Sequence, residues 1–256
     1  MNQNPTLGHG QQTQADDRIA ALITLGGLGL ALALGFASQG VYHDDDVCHL
    51  HLAWAGWGDV HSLLHQWGRP GYNFPTCPVA RFGGMAACRI FSALQTALVA
   101  WLAYRIASRL LPRIGISRRW APAAAGLVWL QPITLILAFT TLTETTAAVY
   151  LTLGIWLYLR GNRVLACLAF SALFITRYEL LVLAPLVAIF VSRDALAQTK
   201  GDFQRALRLR WPWLCAVAGI SLPLMYCLSA WWTDLPAEYS PLYTFSYPYP
   251  TKYGSG

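Results

Sequence analysis

The stretch 19–38, IAALITLGGLGLALALGFAS, runs for twenty residues without a charge. About 20 apolar residues in a helix are enough to cross the hydrocarbon core of a bilayer. The run is too long for the apolar core of a signal peptide, and no basic segment precedes it. It reads as a first transmembrane helix, and the rest of the chain agrees. Hydrophobic residues make up 55% of the 256 positions and charged residues 12%, whereas a soluble domain carries roughly 25% charged residues. No polar segment is long enough to form a soluble domain of its own. The formal net charge of +6 is not a nucleic-acid signal, because most basic residues sit at the ends of apolar runs, where they orient a membrane protein.

Working outward from 19–38, residues 1–18 are polar and aperiodic and read as a disordered cytoplasmic tail. Residues 84–107, 120–139 and 145–159 read as further spans. The stretch 164–191 is about 28 residues long, which makes a helix of roughly 42 Å, too long for one ordinary crossing. It contains Arg177-Tyr178-Glu179 at its middle and has basic residues on both flanks. The preference of basic residues for the cytoplasmic side then requires an even number of crossings. Two short helices that rise and return, with Arg177 and Glu179 at the apex, satisfy it. The last span is 211–231, and the aromatic, Pro-rich segment 232–256 reads as an outer interfacial tail. The expected fold is all-α: a polytopic membrane bundle of about seven membrane helices, two of them short, in one domain over 19–231. With the N-terminus inside, thirteen of the eighteen Lys and Arg fall on the cytoplasmic side and eight of the twelve acidic residues on the other.

The first outer loop, 39–82, concentrates the polar chemistry. Residues 42–75 hold four of the twelve acidic residues and five of the six histidines. One of Asp44, Asp45 and Asp46 caps a helix beginning near Val47, where an acid meets unsatisfied N–H groups and the positive end of the helix dipole. Asp59 caps a second helix, on which Val60, Leu63, Leu64 and Trp67 share one face. Two interfacial helices follow. Three adjacent aspartates read as a cap plus solvated charge. Their mutual repulsion also raises the pKa of at least one, which suits a general base, and their oxygens suit a divalent cation. His61 and His65, four apart on a helix, can share a metal, but no third ligand is placed, so the histidines read as interfacial polar groups and substrate hydrogen-bonders. Cys48 and Cys77 flank the loop and can pair in an oxidising compartment. The absence of a CxxC pair argues against a zinc ribbon.

Charges inside apolar spans are costly and mark functional sites by default. Arg89, Glu144, Arg177 and Glu179 are such charges. They read either as structural pairs, Arg177–Glu179 or Arg89–Glu144, or, with the aspartates, as one outer-leaflet cavity for a phosphate carrying a lipid tail, since Arg clamps phosphate oxygens in pairs.

The order of these features resembles the C-type (GT-C) membrane glycosyltransferases. A first helix is followed at once by an acidic motif, YHDDD (42–46), then by an outer loop and Gly68-Arg69-Pro70. The segments RIFSALQTALVAWLAYRIASRL (89–110), TETTAAVYLTLGIWLYLRG (143–161) and ALFITRYELLVLAPLVAIF (172–190) are similar to that superfamily's later helices. The nearest likeness is to bacterial relatives of protein O-mannosyltransferases and aminoarabinose transferases. It covers roughly 19–230. The superfamily usually continues with more helices and often a soluble domain, and the chain stops at Gly256, as a truncated member would. The resemblance implies inverting transfer of a sugar from a polyprenyl-phosphate donor to a lipid, glycan or protein acceptor at the periplasmic face of the inner membrane. By motif position Asp44 or Asp45 would be the base, and Arg69, Arg177 and Lys252 would neutralise the departing lipid phosphate. Glu144 and Glu179 would hold sugar hydroxyls or position the arginines, with Asp46 and His49 as further substrate contacts. No cofactor is required, although some relatives use a divalent ion. The alternative is a non-catalytic transporter or binder of a lipid-linked sugar; a transporter would more often show paired repeats, which are absent. A third reading is a metal-binding sensor built on the His/Asp loop.

Overall fold

In the computed structural model, residues 9–38, 44–65, 67 and 69–232 are described. Their regular structure is all helical, with no strand among them. Helix α1 is His9–Ala37, α2 is Asp44–Ala55, α3 is Val60–Leu64 and α4 is Pro70–Leu110. Two 3-10 turns lead to α5, Ala121–Leu130, and α6, Pro132–Leu137. Then come α7, Glu144–Leu159, and α8, Arg163–Thr176. A 3-10 turn over Tyr178–Leu183 joins α9, Ala184–Gln198, followed by α10, Phe203–Arg208, and α11, Arg210–Trp232. Lys252 and His43 lie outside the described residues.

Among the described residues, four helical stretches are long and apolar enough to cross a membrane: Gln12–Ala37, Pro70–Ile114, Tyr178–Gln198 and Arg210–Ser229. The other segments read as spans are shorter. Helix α7 has 16 residues and α8 has 14, or about 24 and 21 Å. The third expected span is broken in two: Gln131 is extended, at φ −76° and ψ 117°, because a residue before proline is pushed out of the helical region, and Pro132 follows it.

Two boundaries differ from expectation. Helix α1 starts at His9, so residues 9–18 are not a disordered tail. Their polarity hid a helix whose Asp17 receives the Tyr104 hydroxyl and lies 3.9 Å from Arg118. The second span does not begin at Gly84. Helix α4 runs from Pro70 and bends at Gly84, which sits at φ 58° and ψ −152°. Pro70 occupies its first turn, where a missing N–H costs nothing. Pro75 and Pro78 lie inside and remove interior hydrogen bonds, and glycine supplies the positive φ at the bend. The stretch 164–191 does break where its charges stand: α8 ends at Thr176 and Arg177 is extended, at φ −140° and ψ 96°.

Close approach of small residues packs the bundle. Ala20, Ala31, Ala93, Ala97, Ala100, Ala121 and Ala125 cluster with Tyr104 and Trp129 between α1, α4 and α5. Small side chains let backbones come close and gain dispersion contacts where water is not the driving solvent. Contacts at the helix ends define two poles. At one, Arg109 donates to the Leu159 carbonyl at 3.0 Å and Arg163 pairs with Asp194 at 2.9 Å. The Asp17–Arg118 pair belongs to the same pole. At the other, Asp46 meets Thr141, Arg89 meets the end of α1, and Arg177 meets Glu144. The candidate site is at this second pole.

Candidate functional site

The short helix α2 starts at Asp44, so all three aspartates occupy its first turn, where N–H groups have no helical acceptor and favour negative charge. Their environments differ. Asp44 is exposed, Asp45 is half-buried and Asp46 is fully buried. The Asp46 carboxylate accepts from the Thr141 backbone N–H and hydroxyl, and the same hydroxyl also reaches the Asp46 carbonyl. Asp46 is thus a buried tether between α2 and the turn before α7.

One turn on, His49 is 6% exposed. Its ring lies 5.6 Å from that of Tyr72, tilted by 60°. Burial pushes its pKa down to about 4; Asp45 opposes that shift, Arg69 and Arg177 add to it, and Asp46 opposes it more weakly. Two carboxylates from α2, one guanidinium from the start of α4 and one from the end of α8 therefore act on a single imidazole. His49 Nδ1 is buried without a hydrogen-bond partner.

Arg177 is fixed on both sides. One terminal nitrogen lies 2.7 Å from Glu144 Oε1 and 3.2 Å from Thr143 Oγ1, and the other lies 2.8 Å from Glu179 Oε1. Both carboxylates are partly exposed, at 37% and 50%, so water screens these pairs. The second oxygen of Glu144 is buried and has no partner. Arg69 stands in contrast. Its guanidinium lies 4.5 Å over the Tyr178 ring, a cation–π contact, and it makes no ion pair among the described residues. Its backbone is held at φ 56°, a strained conformation for a side chain that is not glycine, and one that persists where the surroundings over-determine it.

Backbone fit explains how these elements meet. A Cβ on Gly71 would lie 2.2 Å from Thr176 Oγ1 and 2.8 Å from the Ala172 carbonyl. Only glycine lets the start of α4 press against the end of α8, and this sets Arg69 beside Tyr178. The Tyr150 hydroxyl donates to the Gly71 carbonyl at 3.1 Å. Asn73 Nδ2 donates to the carbonyls of Ser62 and Leu63 at 3.0 and 3.2 Å, which pins α3 down. Tyr226 on α11 stacks at 7° on Tyr178, shares a 3.1 Å hydroxyl contact with it, and donates to the Leu64 carbonyl at 2.9 Å.

Asp59 caps α3 as expected, accepting from the N–H groups of His61 and Ser62 and from the Ser62 hydroxyl. That last bond holds its carboxyl below the usual value. Other expectations need correction. Arg89 does not pair with Glu144; it donates to the Gly35 and Ser38 carbonyls at 3.2 and 2.8 Å, where a cation meets the negative end of α1. Cys48 is exposed, Cys77 is buried, and both are free thiols. His61 and His65 do not form an i, i+4 pair, because α3 ends at Leu64 and His65 is extended; its Nδ1 accepts from the Trp67 N–H at 3.1 Å. Burial lowers its pKa. No group of three His, Cys, Asp or Glu side chains converges among the described residues. Reading the residues one at a time missed Tyr72, Thr141, Tyr178 and Tyr226. Tyr178 had a signal, its place between Arg177 and Glu179; the others are tertiary partners with none.

Protein-family models, curated proteins and solved structures give no match to this chain.

Proposed function

We propose that the chain is a membrane glycosyltransferase of the GT-C kind, which moves a sugar from a polyprenyl-phosphate donor to a lipid, glycan or protein acceptor with inversion. The reading is supported by Asp45, Asp46, Arg69 and Arg177, which all act electrostatically on His49, and by Arg177, which bridges Glu144 and Glu179. In this reading α5 with α6, α7 and α8 also cross the bilayer, which brings the crossings to seven. The pole bearing Asp45 and Arg177 faces the periplasm and the N-terminus the cytoplasm.

Each group then has a task set by its surroundings. Asp46 is occupied by Thr141, so Asp45, with exposed Asp44 beside it, takes the proton of the acceptor hydroxyl. A positioned base of this kind contributes roughly 10²–10⁴-fold. As the acceptor oxygen bonds to the anomeric carbon, the bond to the lipid phosphate breaks and the phosphate leaves with its electron pair. Arg69, the guanidinium without a carboxylate, meets that charge. Arg177, held between Glu144 and Glu179, orients the two carboxylates toward sugar hydroxyls, and the unpartnered Glu144 oxygen is ready to accept from one. No step runs through a metal. The competing reading, a binder or transporter of the same lipid, uses Arg69 alike but needs no base.

The two separate in membranes supplied with lipid-linked sugars. Asp45→Asn should lower product formation by at least about 10²-fold while polyprenyl phosphate still binds. Full turnover in Asp44→Asn, Asp45→Asn and the double variant would overturn the enzyme reading.

A further inference from the structure

An apolar cavity lies away from this site. It measures about 470 Å³ and opens between α8, α9 and α11, with α10 across one end. Its wall is made of small and aromatic residues, among them Phe170, Phe174, Ala188, Val191, Ala216 and Gly219. That volume falls in the roughly 300–1,000 Å³ range of small-molecule sites. Along α9 the lining runs from Ala184 to Leu196, about 18 Å of helix. The cavity is therefore long, narrow and almost without polar groups. The Trp213 indole on its wall is not an exception, since its N–H is spent on the Leu207 carbonyl at 2.9 Å.

Four basic residues adjoin the cavity lining in sequence. Arg193 follows the lining residue Ser192, Arg208 follows the lining residue Leu207, Arg210 stands two positions before the lining residue Pro212, and Lys200 sits in the turn between α9 and α10. All four are exposed, and none has an ion-pair partner among the described residues. The acids nearby are already engaged: Asp194 by Arg163 at 2.9 Å and Asp202 by Arg205 at 3.0 Å. The helices α9 and α11 also expose apolar side chains, such as Leu186, Ile189, Val217 and Leu224.

We infer that this cavity holds one acyl chain of an anionic glycerophospholipid, whose headgroup rests against Arg193, Lys200, Arg208 and Arg210. Charge complementarity selects the headgroup, because basic groups beside a membrane helix attract anionic lipid, each at about fivefold in affinity. The apolar wall selects a chain rather than a soluble anion. The chain fills space that side chains leave open between α9 and α11, so the lipid completes the packing of this part of the bundle. A polyprenyl tail is disfavoured, because these basic residues are at the pole opposite Arg69 and Arg177. The inference stands apart from the sugar-transfer reading.

The test uses the whole chain in phosphatidylcholine nanodiscs carrying a trace of phosphatidylglycerol or phosphatidylcholine with a nitroxide near the end of one acyl chain. Spin-label spectra report the motionally restricted fraction. Phosphatidylglycerol should be restricted at least about fivefold more strongly than phosphatidylcholine. Gly219→Phe should remove that excess by filling the cavity; a Cβ at Gly219 meets nothing within 4 Å, so the variant has room to fold. Arg208→Gln with Arg210→Gln, both exposed, should bring the two lipids close to parity without touching the core. Equal restriction of both lipids in the unaltered chain would overturn the inference, as would an excess that survives Gly219→Phe. Displacement of the label by polyprenyl phosphate more readily than by unlabelled phosphatidylglycerol would also overturn it and give the cavity to a donor tail.

Discussion

The two poles of the bundle hold charge in opposite ways. At the pole of Asp46 and Arg177, charged groups face one another, several are half-buried or buried, and most are engaged: Asp46 by Thr141, Arg89 by two carbonyls, Arg177 by Glu144 and Glu179. At the other pole some charges pair, Arg163 with Asp194 and Arg118 with Asp17, but Arg113, Arg193, Lys200, Arg208 and Arg210 are exposed and without ion-pair partners among the described residues. Taking a charge out of water is costly unless partners compensate it, so the first arrangement persists only where the fold imposes it. Exposed arginines need no such support and act through the field they make. The first pole is built to position groups and the second to attract them.

Perturbing each pole sharpens that difference. The largest expected effect is with pH. Folded His49 stays neutral down to about 4, whereas an unfolded imidazole takes its proton near 6.5. Between those values only the unfolded chain binds the proton, so stability is full above about pH 6.5 and is lost as pH falls through the window. The loss reaches about 3 kcal/mol below pH 4. Thermal unfolding of the detergent-solubilised chain should show this slope, and His49→Gln should flatten it. Next comes Gly71→Val, which drives a side chain into Thr176 and the Ala172 carbonyl and should cost about 2 kcal/mol in the same assay. At the other pole Arg113→Gln should change stability by less than about 0.5 kcal/mol. A cost as large as that of Gly71→Val would erase the contrast.

The same contrast explains what could be read before the fold was seen. Local signals were legible. Asp59 caps α3 because its side chain reaches N–H groups two and three residues on. The break at Arg177 followed from basic residues on both flanks of a stretch too long for one span. Residues 19–37 of the apolar run lie within a helix, although the polar turns from His9 that extend it carry no apolar period. The outer loop was read too far, to residue 82, because Pro70 starts a helix and Pro75 and Pro78 are absorbed into it. Partners distant in sequence left no trace. Nothing near Asp46 points to Thr141, and nothing near Arg89 points to the carbonyls that end α1. Candidate residues could thus be named as polar groups in a greasy chain, but which of them meet was settled by glycine contacts such as Gly71 on Thr176.

The central claim is that acids and guanidiniums from α2, α4 and α8 surround one imidazole, and its most direct test is the titration of His49 by NMR in the intact chain and in two variants. The expected midpoint is about 4 in the unaltered chain, higher in Arg177→Gln, where a repelling cation is gone, and lower in Asp45→Asn, where an attracting anion is gone. A His49 that titrates near 6.5 in all three proteins would contradict it.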